Sequence, residues 1–524
     1  MRKIRFPLIQ PRQRGNRFLL GGPYSLLLVL FVVSLLTPAA EAARLPRIRI
    51  APDGHGFVTK QGEPFIPMGV TYYRPFTGWP PQVWKKFDPV ATRRDFARLK
   101  ALGANCVRVF LSYTSFYRKP GMLSRNGLAK FDEFLKLAEE AGLYVQPTGL
   151  DGWEGTPAWA RGDRYADERL LRAQVDFWKL FARRYRRCSD IFAFELLNEP
   201  AIHWTNPPMQ AKWDTWVKRT YGSFTGAFKA WHVTPPVYAA AHAPIPGRLA
   251  GPSQMLLDYQ HFREGLADAW TQRQVKAIKS VDPRALVTIG FVQWSVPIVL
   301  AGAFQYSAFR PTLLARFLDF MEIHFYPVAR GPLALEFLHY ARRNKIAFPE
   351  GDSSLAAGVY DCGNRQEGTL NLAYLKGVVD QVAQSHEPVV LGEFGWYGGG
   401  KPTGGSRNQP YPAATEAQQA HWCRRVVETT KGIVSGWLNW GLYDCPNGGG
   451  ISQFSGLLKP GGAVKVWGRT FRQLATQFKQ HPLKPQQLRG SPVMDWDRCI
   501  TDSHARDAFL EKYYQAYRVD SLQR

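Results

Sequence analysis

The chain has 524 residues, of which 45% are hydrophobic and 14% aromatic, so it can bury a large core as one big domain or as up to three small ones. Its net charge of +25 favours acidic polymers or anionic surfaces as partners, or serves solubility alone. No Lys/Arg-rich block or nucleic-acid motif supports binding of DNA or RNA.

The first 42 residues have the pattern of a secretory signal peptide. A long basic region is followed by a short apolar run over residues 24–36 and by Ala40-Glu41-Ala42, which has small residues at both key positions of a cleavage site. The apolar run is short for a membrane span, and no later stretch is long and apolar enough to cross a bilayer. We therefore predict a secreted or periplasmic protein, which stays membrane-anchored if this segment is not cleaved.

The six cysteines do not form a metal-binding pattern. No CxxC or His-x-x-x-His cluster has the spacing of zinc ligands, so no metal site is predicted. An exported protein can oxidise its cysteines, and Cys362 and Cys445 occur in similar loop contexts, which makes them the one disulfide pair that the sequence suggests. Cys106 lies within an apparent core strand and is predicted to be a buried free thiol.

Strands and helices alternate along the rest of the chain. Short strand patterns over residues 48–58 and 63–67 predict a hairpin that turns at Asp53-Gly54 and Gln61-Gly62. Eight runs then have the apolar character of buried strands, at residues 66–72, 105–111, 143–149, 191–197, 285–291, 317–325, 388–394 and 433–442. Helical spacing of apolar residues separates most of them, at residues 90–102, 128–141, 167–185, 256–281, 370–384, 416–430 and 464–478.

Eight alternations of strand and helix predict a parallel sheet, and eight is the number of strands that closes a barrel. The predicted fold class is α/β, a (β/α)8 TIM barrel with an N-terminal β-hairpin and a C-terminal helical extension. We assign residues 1–42 to the signal peptide, 43–480 to the barrel and 481–524 to an extension that packs on it through a helix at residues 503–517. A long insertion, residues 201–252, separates strand four from its helix.

Two of the predicted barrel strands end in a glutamate. Strand four stops at Glu199 because Pro200 cannot continue the ladder, and strand seven ends in Gly392-Glu393-Phe394. Since the carboxyl ends of barrel strands form the active site, Glu199 and Glu393 are expected to face each other across the mouth. Two such carboxylates suit a double displacement on a glycosidic bond. One attacks the anomeric carbon, while the other donates a proton to the leaving oxygen and later activates water.

Other strand ends supply polar and aromatic side chains to the same mouth. Arg108 on strand two is expected to lower the pKa of a nearby carboxylate and so keep a nucleophile ionised, or to make a structural ion pair. Tyr326 is predicted to donate a hydrogen bond to the nucleophile with His324 on the same side, and Asn198 to hold a sugar 2-hydroxyl. Flat aromatic faces suit sugar rings, and the candidate platforms, which also suit core packing, are Trp153, Trp396 and Trp440.

These motifs resemble those of the retaining (β/α)8 glycoside hydrolases of clan A, most nearly family 5, which includes cellulases and mannanases. The resemblance covers residues 57–478 and rests on Asn105-Cys106-Val107-Arg108, Leu197-Asn198-Glu199-Pro200, His324-Phe325-Tyr326 and Gly392-Glu393-Phe394-Gly395. It implies that Glu199 is the acid/base and Glu393 the nucleophile. No cofactor is implied, and the expected partner is a β-linked polysaccharide or oligosaccharide, with mannan or glucan favoured.

Two features depart from the pattern of family 5. Many members carry a His after strand three, where this chain has Gly149-Leu150-Asp151-Gly152-Trp153. The insertion, together with Leu257-Asp258-Tyr259-Gln260 beyond it, is similar to the matching region of family 42 β-galactosidases, which are exo-acting. An exo-acting β-galactosidase-like enzyme, a transglycosylase and a non-catalytic carbohydrate-binding barrel are therefore alternatives, although a binder needs no protonated acid.

Overall fold

Eight parallel strands pair in chain order and close into a barrel, which confirms the predicted (β/α)8 architecture. Both faces of such strands are covered, one by the barrel interior and the other by helices, and this explains their nearly unbroken apolar character. The strands are Met68–Thr71, Cys106–Ser112, Tyr144–Asp151, Phe194–Asn198, Val287–Val292, Met321–Phe325, Val389–Phe394 and Val434–Asn439.

The structure is a computed structural model that describes residues 44–77, 80–235, 241–248, 250–298, 305–327, 365–403, 405–406, 409–411, 413–486, 488 and 490–522. The predicted signal peptide and Cys362, the suggested partner of Cys445, lie outside these ranges. The cysteines within them are free thiols, Cys445 included. Within the same ranges, no helix is both long enough and apolar enough to cross a membrane.

A helix follows every strand and packs on the outside of the barrel. In chain order these helices are Pro89–Ala101, Arg125–Ala141, Glu168–Tyr185, Gln254–Lys279, Pro311–Leu314, Arg365–Ala383, Glu416–Thr430 and Val466–Gln480. Polar caps set where several of them begin: the Asp88 carboxylate accepts from two backbone N–H groups, and Thr415 and Gln418 form a capping box. The helix after strand five was not predicted, because four residues are too few to show a periodic pattern.

A three-stranded antiparallel sheet closes the end of the barrel where the strands begin. Its strands are Ile48–Ile50, Phe57–Thr59 and Pro64–Phe65. The predicted run 48–58 therefore forms the first two strands on either side of Asp53-Gly54, and the predicted run 63–67 forms the third. The Phe57 ring meets Phe192 and Phe320 edge-on, at centroid distances of 5.1 and 5.2 Å. This apolar plug closes one end of the barrel. Polar side chains of the barrel interior can therefore meet solvent only at the opposite end, where the strands terminate.

The insertion after strand four contains two helices, Pro207–Tyr221 and Phe224–Trp231. They pack on the long helix Gln254–Lys279 through Trp213, whose ring stacks on Trp231 at 5.8 Å and meets Tyr259 edge-on at 5.1 Å. The buried Asp258 carboxylate accepts from the Trp231 indole N–H and the Tyr221 hydroxyl. The described part of the insertion is therefore a packed layer joined to the barrel, where its polar donors satisfy the buried Asp258 carboxylate.

The remaining elements lie near the strand ends and at the carboxyl terminus. The C-terminal helix Ser503–Leu522 packs against Arg365–Ala383, where the Gln381 amide donates to the Tyr513 hydroxyl at 3.1 Å. The shorter pieces are the helix Tyr113–Phe116, the helix Trp496–Thr501, the 3-10 turns Pro80–Trp84, Ala158–Ala160, Gln293–Ser295 and Gly450–Gln453, and a two-stranded ribbon of Gly405–Ser406 and Gln409–Pro410.

Gly149 allows strands three and four to approach closely, so Gly149→Ala should destabilise the barrel. A Cβ at this position would lie 1.9 Å from the Leu196 carbonyl oxygen and 2.9 Å from the Trp178 ring. Such overpacking against backbone typically costs about 1–3 kcal/mol or more, and urea unfolding measures it. Gly265→Ala is the matched control: nothing lies within 4 Å of its added Cβ, and alanine favours a helix by about 0.5–1 kcal/mol. Equal stabilities of the two variants would contradict this packing.

Candidate active site

The strand ends bring the predicted polar residues to one mouth of the barrel. Glu393 lies in strand seven, His324 in strand six and Arg108 in strand two, while Glu199 directly follows strand four. Glu199 has a φ of 44°, in the left-handed region that residues other than glycine seldom adopt, and its N–H donates to the Gly290 carbonyl at 2.8 Å. This strained turn ends the strand and directs the Glu199 side chain into the mouth.

Arg108 is the cation around which the site is arranged. Its guanidinium is fully buried and donates to both Glu195 oxygens, at 2.6 and 2.7 Å, and to Glu393 Oε1 at 2.6 Å. Although burial lowers the pKa of Arg108, the charges of Glu195 and Glu393 raise it well above its ordinary value. Arg108 is therefore cationic at any pH at which the protein folds, and it holds the two carboxylates in place.

Asn198 also belongs to this arrangement. Its side-chain oxygen accepts from Arg108 Nη2 at 2.7 Å, because a guanidinium has only donors to offer. The amide is thereby oriented with its nitrogen left to donate elsewhere. Asn198 is half-buried at the mouth, so this NH2 group is placed to meet a polar group of a ligand, as the sequence prediction requires.

The Glu393 carboxylate is almost enclosed and each of its oxygens has a partner. Oε1 accepts from Arg108, and Oε2 accepts from the Tyr326 hydroxyl at 2.9 Å and lies 3.7 Å from His324 Nδ1. Burial raises the pKa of Glu393 above its ordinary value, while the charges of His324 and Arg108 oppose the rise. Arg108 thus acts in the predicted direction on Glu393, but burial is the larger effect. On Glu195, Arg108 overcomes burial and holds the pKa below the usual range.

Glu199 is the more accessible carboxylate, with 32% of its side chain exposed against 5% for Glu393. Its Oε1 lies 3.1 Å from His324 Nδ1. An oxygen of Glu199 and an oxygen of Glu393 lie within 4.8 Å of each other, with His324 between them. One buried carboxylate fixed by donors therefore faces one open carboxylate across a gap that a single reacting carbon can occupy.

Two interior carboxylates, Glu195 and Glu322, were missed by the sequence reasoning. Both are fully buried below the mouth, where the Thr148 hydroxyl donates to Glu195 at 2.6 Å and the Gln146 amide donates to Glu322 at 2.7 Å. Burial and the charge of Glu195 raise the pKa of Glu322 to about 7. The available signal was an isolated charge in the middle of an otherwise apolar strand, in Phe194-Glu195-Leu196 and again in Met321-Glu322-Ile323.

The three tryptophans predicted as sugar platforms are placed differently. Trp153 is 52% exposed in the loop after strand three. Trp440 is 8% exposed; its ring packs 5.4 Å from Tyr73 and its indole N–H donates to Ser452. Trp396 is only 2% exposed, so in this conformation it contributes to packing and offers little surface for stacking.

The same side chains include two groups that could in principle hold a metal ion, Glu195 with Glu322 and His324, and Glu199 with His324 and Glu393. Arg108 already supplies a cation to this space, since it contacts Glu195 and Glu393 and lies 3.6 Å from Glu322. A divalent ion would have to displace or repel the guanidinium. The donor set therefore fits charge pairing with arginine, and the expectation of a site without metal stays a prediction.

Replacing Arg108 by methionine should destabilise the fold most at neutral pH. The change leaves Glu195 and Glu393 buried without their cation, which typically costs about 3–5 kcal/mol. In the variant, burial alone would hold the folded-state pKa of these carboxyls above the unfolded value. Protonation on acidification should then recover part of the lost stability, whereas ionisation at higher pH should not. Urea unfolding at neutral and mildly acidic pH measures both effects.

Arg273→Met is the matched control for this experiment. Arg273 contacts Glu168 at 2.7 Å, but both side chains are more than two-fifths exposed. Solvent-exposed pairs of this kind contribute about 0–1 kcal/mol. A loss of stability in Arg108→Met that is no larger than in the control, or that does not shrink on acidification, would show that the guanidinium does not balance the buried carboxylates.

Comparison with solved structures finds the same fold in glycoside hydrolases. Exo-β-1,4-mannosidase Op5Man5 from Opitutaceae bacterium strain TAV5 is 18% identical, with a TM-score of 0.54 over 82% of this chain and 62% of that one. A GH5_18 enzyme from Streptomyces cattleya, in complex with Manβ1-4GlcNAc, is 18% identical, with a TM-score of 0.56 over 86% and 92%. A β-galactosidase from the psychrophilic Marinomonas ef1 is 15% identical, with a TM-score of 0.54 over 83% and 64%.

This chain spans 62% of the length of the mannosidase and 64% of that of the β-galactosidase. Comparison with curated proteins finds no match. The family model described as Cellulase (glycosyl hydrolase family 5) matches residues 58–444, which include every strand of the barrel and both glutamates at its mouth. The chain is a glycoside hydrolase and belongs to glycosyl hydrolase family 5.

Proposed function

We propose that this protein is an exported retaining β-glycosidase that hydrolyses β-linked oligosaccharides, with mannan- or glucan-type linkages favoured. The observation that carries the proposal is the separation of the two carboxylates, whose nearest oxygens lie within 4.8 Å of each other. Carboxyl groups about 5–5.5 Å apart suit double displacement, whereas inverting enzymes keep them about 6.5–9.5 Å apart to admit a water molecule.

We infer the roles of the two carboxylates from their different surroundings. Glu393 is buried, and its oxygens accept from Arg108 and Tyr326, which stabilise the ionised form of a nucleophile. Glu199 is more open, beside the half-buried Asn198 and the space that a leaving group must cross. A proton donor that later has to accept a proton from water needs this access.

The reaction has two balanced steps. In the first, a Glu393 oxygen forms a bond to the anomeric carbon as the glycosidic C–O bond breaks, and the Glu199 proton moves to the departing oxygen. In the second, a water oxygen attacks the anomeric carbon, the Glu199 carboxylate takes the water proton, and Glu393 leaves as a carboxylate. The Asn198 NH2 group is placed to donate to the sugar 2-hydroxyl, a contact that strengthens in the transition state.

Replacing each glutamate by alanine and adding azide should give glycosyl azides of opposite anomeric configuration. Glu393→Ala should lose more than about 10³-fold in kcat on aryl β-mannosides or β-glucosides, since loss of a covalent nucleophile costs several kcal/mol of barrier. Azide should restore turnover to this variant as the α-glycosyl azide. Glu199→Ala should retain bond cleavage with an activated dinitrophenyl leaving group, and azide should then yield the β-glycosyl azide. Proton NMR of the anomeric centre distinguishes the two products.

The control is Glu387→Ala, which removes a carboxylate just before the start of the same strand, at the opposite end from the mouth. Its kcat should stay within about twofold of the wild type, because exposed and half-buried surface changes seldom reach the active site. Hydrolysis by Glu393→Ala within about tenfold of the wild type would refute the nucleophile assignment. Absence of hydrolysis by the wild type across both glycoside series would favour a binding protein instead.

We infer that the insertion restricts the side of the mouth from which the leaving group departs. Ile202 N–H donates to the Ser307 carbonyl at 2.9 Å, and His203 and Asn206 both contact the Asp163 carboxylate. The chain directly after Glu199 is thereby tied to the loops that follow strands three and five. A fixed wall next to the proton donor limits the length of the group that Glu199 can protonate.

We therefore expect short oligosaccharides to be cleaved in preference to long polymers. On β-1,4-linked mannose or glucose series, kcat/KM should fall as sugars are added beyond the first few, and single sugars should be the main early product. Chromatography of initial products measures this, with Glu199→Ala as the blank. A ladder of intermediate lengths released early from a polymer would show endo action and an open cleft.

A further inference from the structure

His324 contacts different groups through its two ring nitrogens. Nδ1 lies 3.1 Å from Glu199 Oε1 and 3.7 Å from Glu393 Oε2, at the mouth of the barrel. Nε2 points the other way and lies 3.9 Å from Oε1 of Glu322, in the barrel interior. One fully buried imidazole therefore stands between the two carboxylates of the mouth and a third carboxylate that never reaches the surface.

A proton on His324 Nε2 would give both atoms of the contact between His324 and Glu322 a partner. Glu322 Oε1 and His324 Nε2 are buried atoms that find no hydrogen-bond partner among the described residues. Without a proton between them, a lone pair of the carboxylate would face a lone pair of the ring. Leaving either atom unsatisfied in a buried site costs about 1–3 kcal/mol, so a proton shared along this contact is strongly favoured.

Contacts with neighbouring strands hold the Glu322 side chain in position. Gln146 donates to its Oε2 at 2.7 Å, and Arg108 Nε lies 3.6 Å from its Oε1. On the adjacent strand seven, a Cβ at Gly392 would lie 1.8 Å from Glu322 Oε1. On strand five, a Cβ at Gly290 would lie 2.8 Å from His324 Nε2. Two glycines thus leave the space that the carboxylate and the imidazole occupy.

We propose that Glu322 is a positioning residue that keeps His324 doubly protonated, with Nε2–H directed at Glu322 and Nδ1–H directed at the carboxylates of the mouth. The part of this proposal that concerns turnover rests on the proposed function. The part that concerns the protons on His324 does not.

The charges that face His324 come from every side of the barrel. The acidic groups outnumber the basic one. Arg108 on strand two is the basic group, and the acidic groups are Glu322 on the same strand as His324, Glu195 and Glu199 from strand four, and Glu393 from strand seven. Burial lowers the pKa of His324, but the charge of Glu393 and the contacts with Glu199 and Glu322 raise it to about 10. The imidazolium therefore persists through neutral pH.

A fixed imidazolium serves both halves of a double displacement. When Glu199 gives up its proton, the new carboxylate already has an N–H donor 3.1 Å away, so no solvent has to reorganise. The same charge, 3.7 Å from Glu393 Oε2, favours the ionised nucleophile. Glu322 takes no part in bond making; it acts only by keeping the second proton on the ring.

Glu322→Gln removes the negative charge of the Glu322 side chain and nearly preserves its size and shape. Gln146 continues to require an acceptor, so the new amide must present its oxygen there and its NH2 group to His324 Nε2. That nitrogen then accepts instead of donating, and the ring becomes neutral while Nδ1–H is retained. Glu264→Gln is the matched control, since Glu264 is a buried carboxylate that contacts Tyr306 and Arg310, away from the mouth.

Nitrogen-15 NMR of histidine-labelled protein reads the protons directly, and His324→Gln assigns the signal. The wild type should show both His324 nitrogens in the protonated range at neutral pH, and Glu322→Gln should show one nitrogen in the unprotonated range. A wild-type His324 that is neutral at neutral pH overturns the proposal. This measurement needs no variant of Glu322 to fold, and its result does not depend on whether the protein hydrolyses glycosides.

The pH profile of kcat/KM on an aryl glycoside provides the second measurement. Losing the positive charge should raise the pKa of Glu393, so the acidic limb of the profile should move to higher pH by about one unit in Glu322→Gln. The control Glu264→Gln should leave both limbs unmoved. A fall in kcat with unmoved limbs would mean that Glu322 is merely structural and would refute the proposal. If Glu393→Ala stays active while the NMR result holds, only the proposed function fails.

Discussion

The structure depends on one buried cation, the guanidinium of Arg108. Burying Glu195 and Glu393 is tolerable chiefly because Arg108 donates to both, at distances of 2.6–2.7 Å. Its five N–H groups reach strands four and seven at once, which a lysine ammonium could not do with the same fixed geometry. The same residue, Arg108, therefore balances the charge of the interior and fixes the geometry of the mouth.

Depth divides these charged groups into two sets. The lower set, Glu195 and Glu322, is closed to water and can only adjust the groups above it. The upper set, Glu199 and Glu393, meets the cleft with unequal exposure, and the proposed roles of proton donor and nucleophile rest on this inequality. His324 connects the two levels, because its Nε2 lies 3.9 Å from Glu322 and its Nδ1 lies 3.1 Å from Glu199.

Substrate preference depends on parts of the chain that the barrel itself does not determine. Enzymes described as a mannosidase and a β-galactosidase share this fold with the chain at 18% and 15% identity. Similar barrels therefore carry different loops at the strand ends. In this chain the insertion after strand four is anchored through Trp213 on the outside and through Asp163 near the mouth.

The sequence by itself determined where the eight strands lie and which glutamates stand at the ends of strands four and seven. Apolar runs, and residues such as proline that end a strand, are local signals. It did not reveal Glu195 or Glu322, since a charge inside an apolar strand is interpretable only when its cross-barrel partner is known. Only the tertiary structure decided that Trp396 is buried and that the mouth carboxylates lie within 4.8 Å of each other. Each of these depends on strand tilt and register, through which residues distant in sequence are brought into contact.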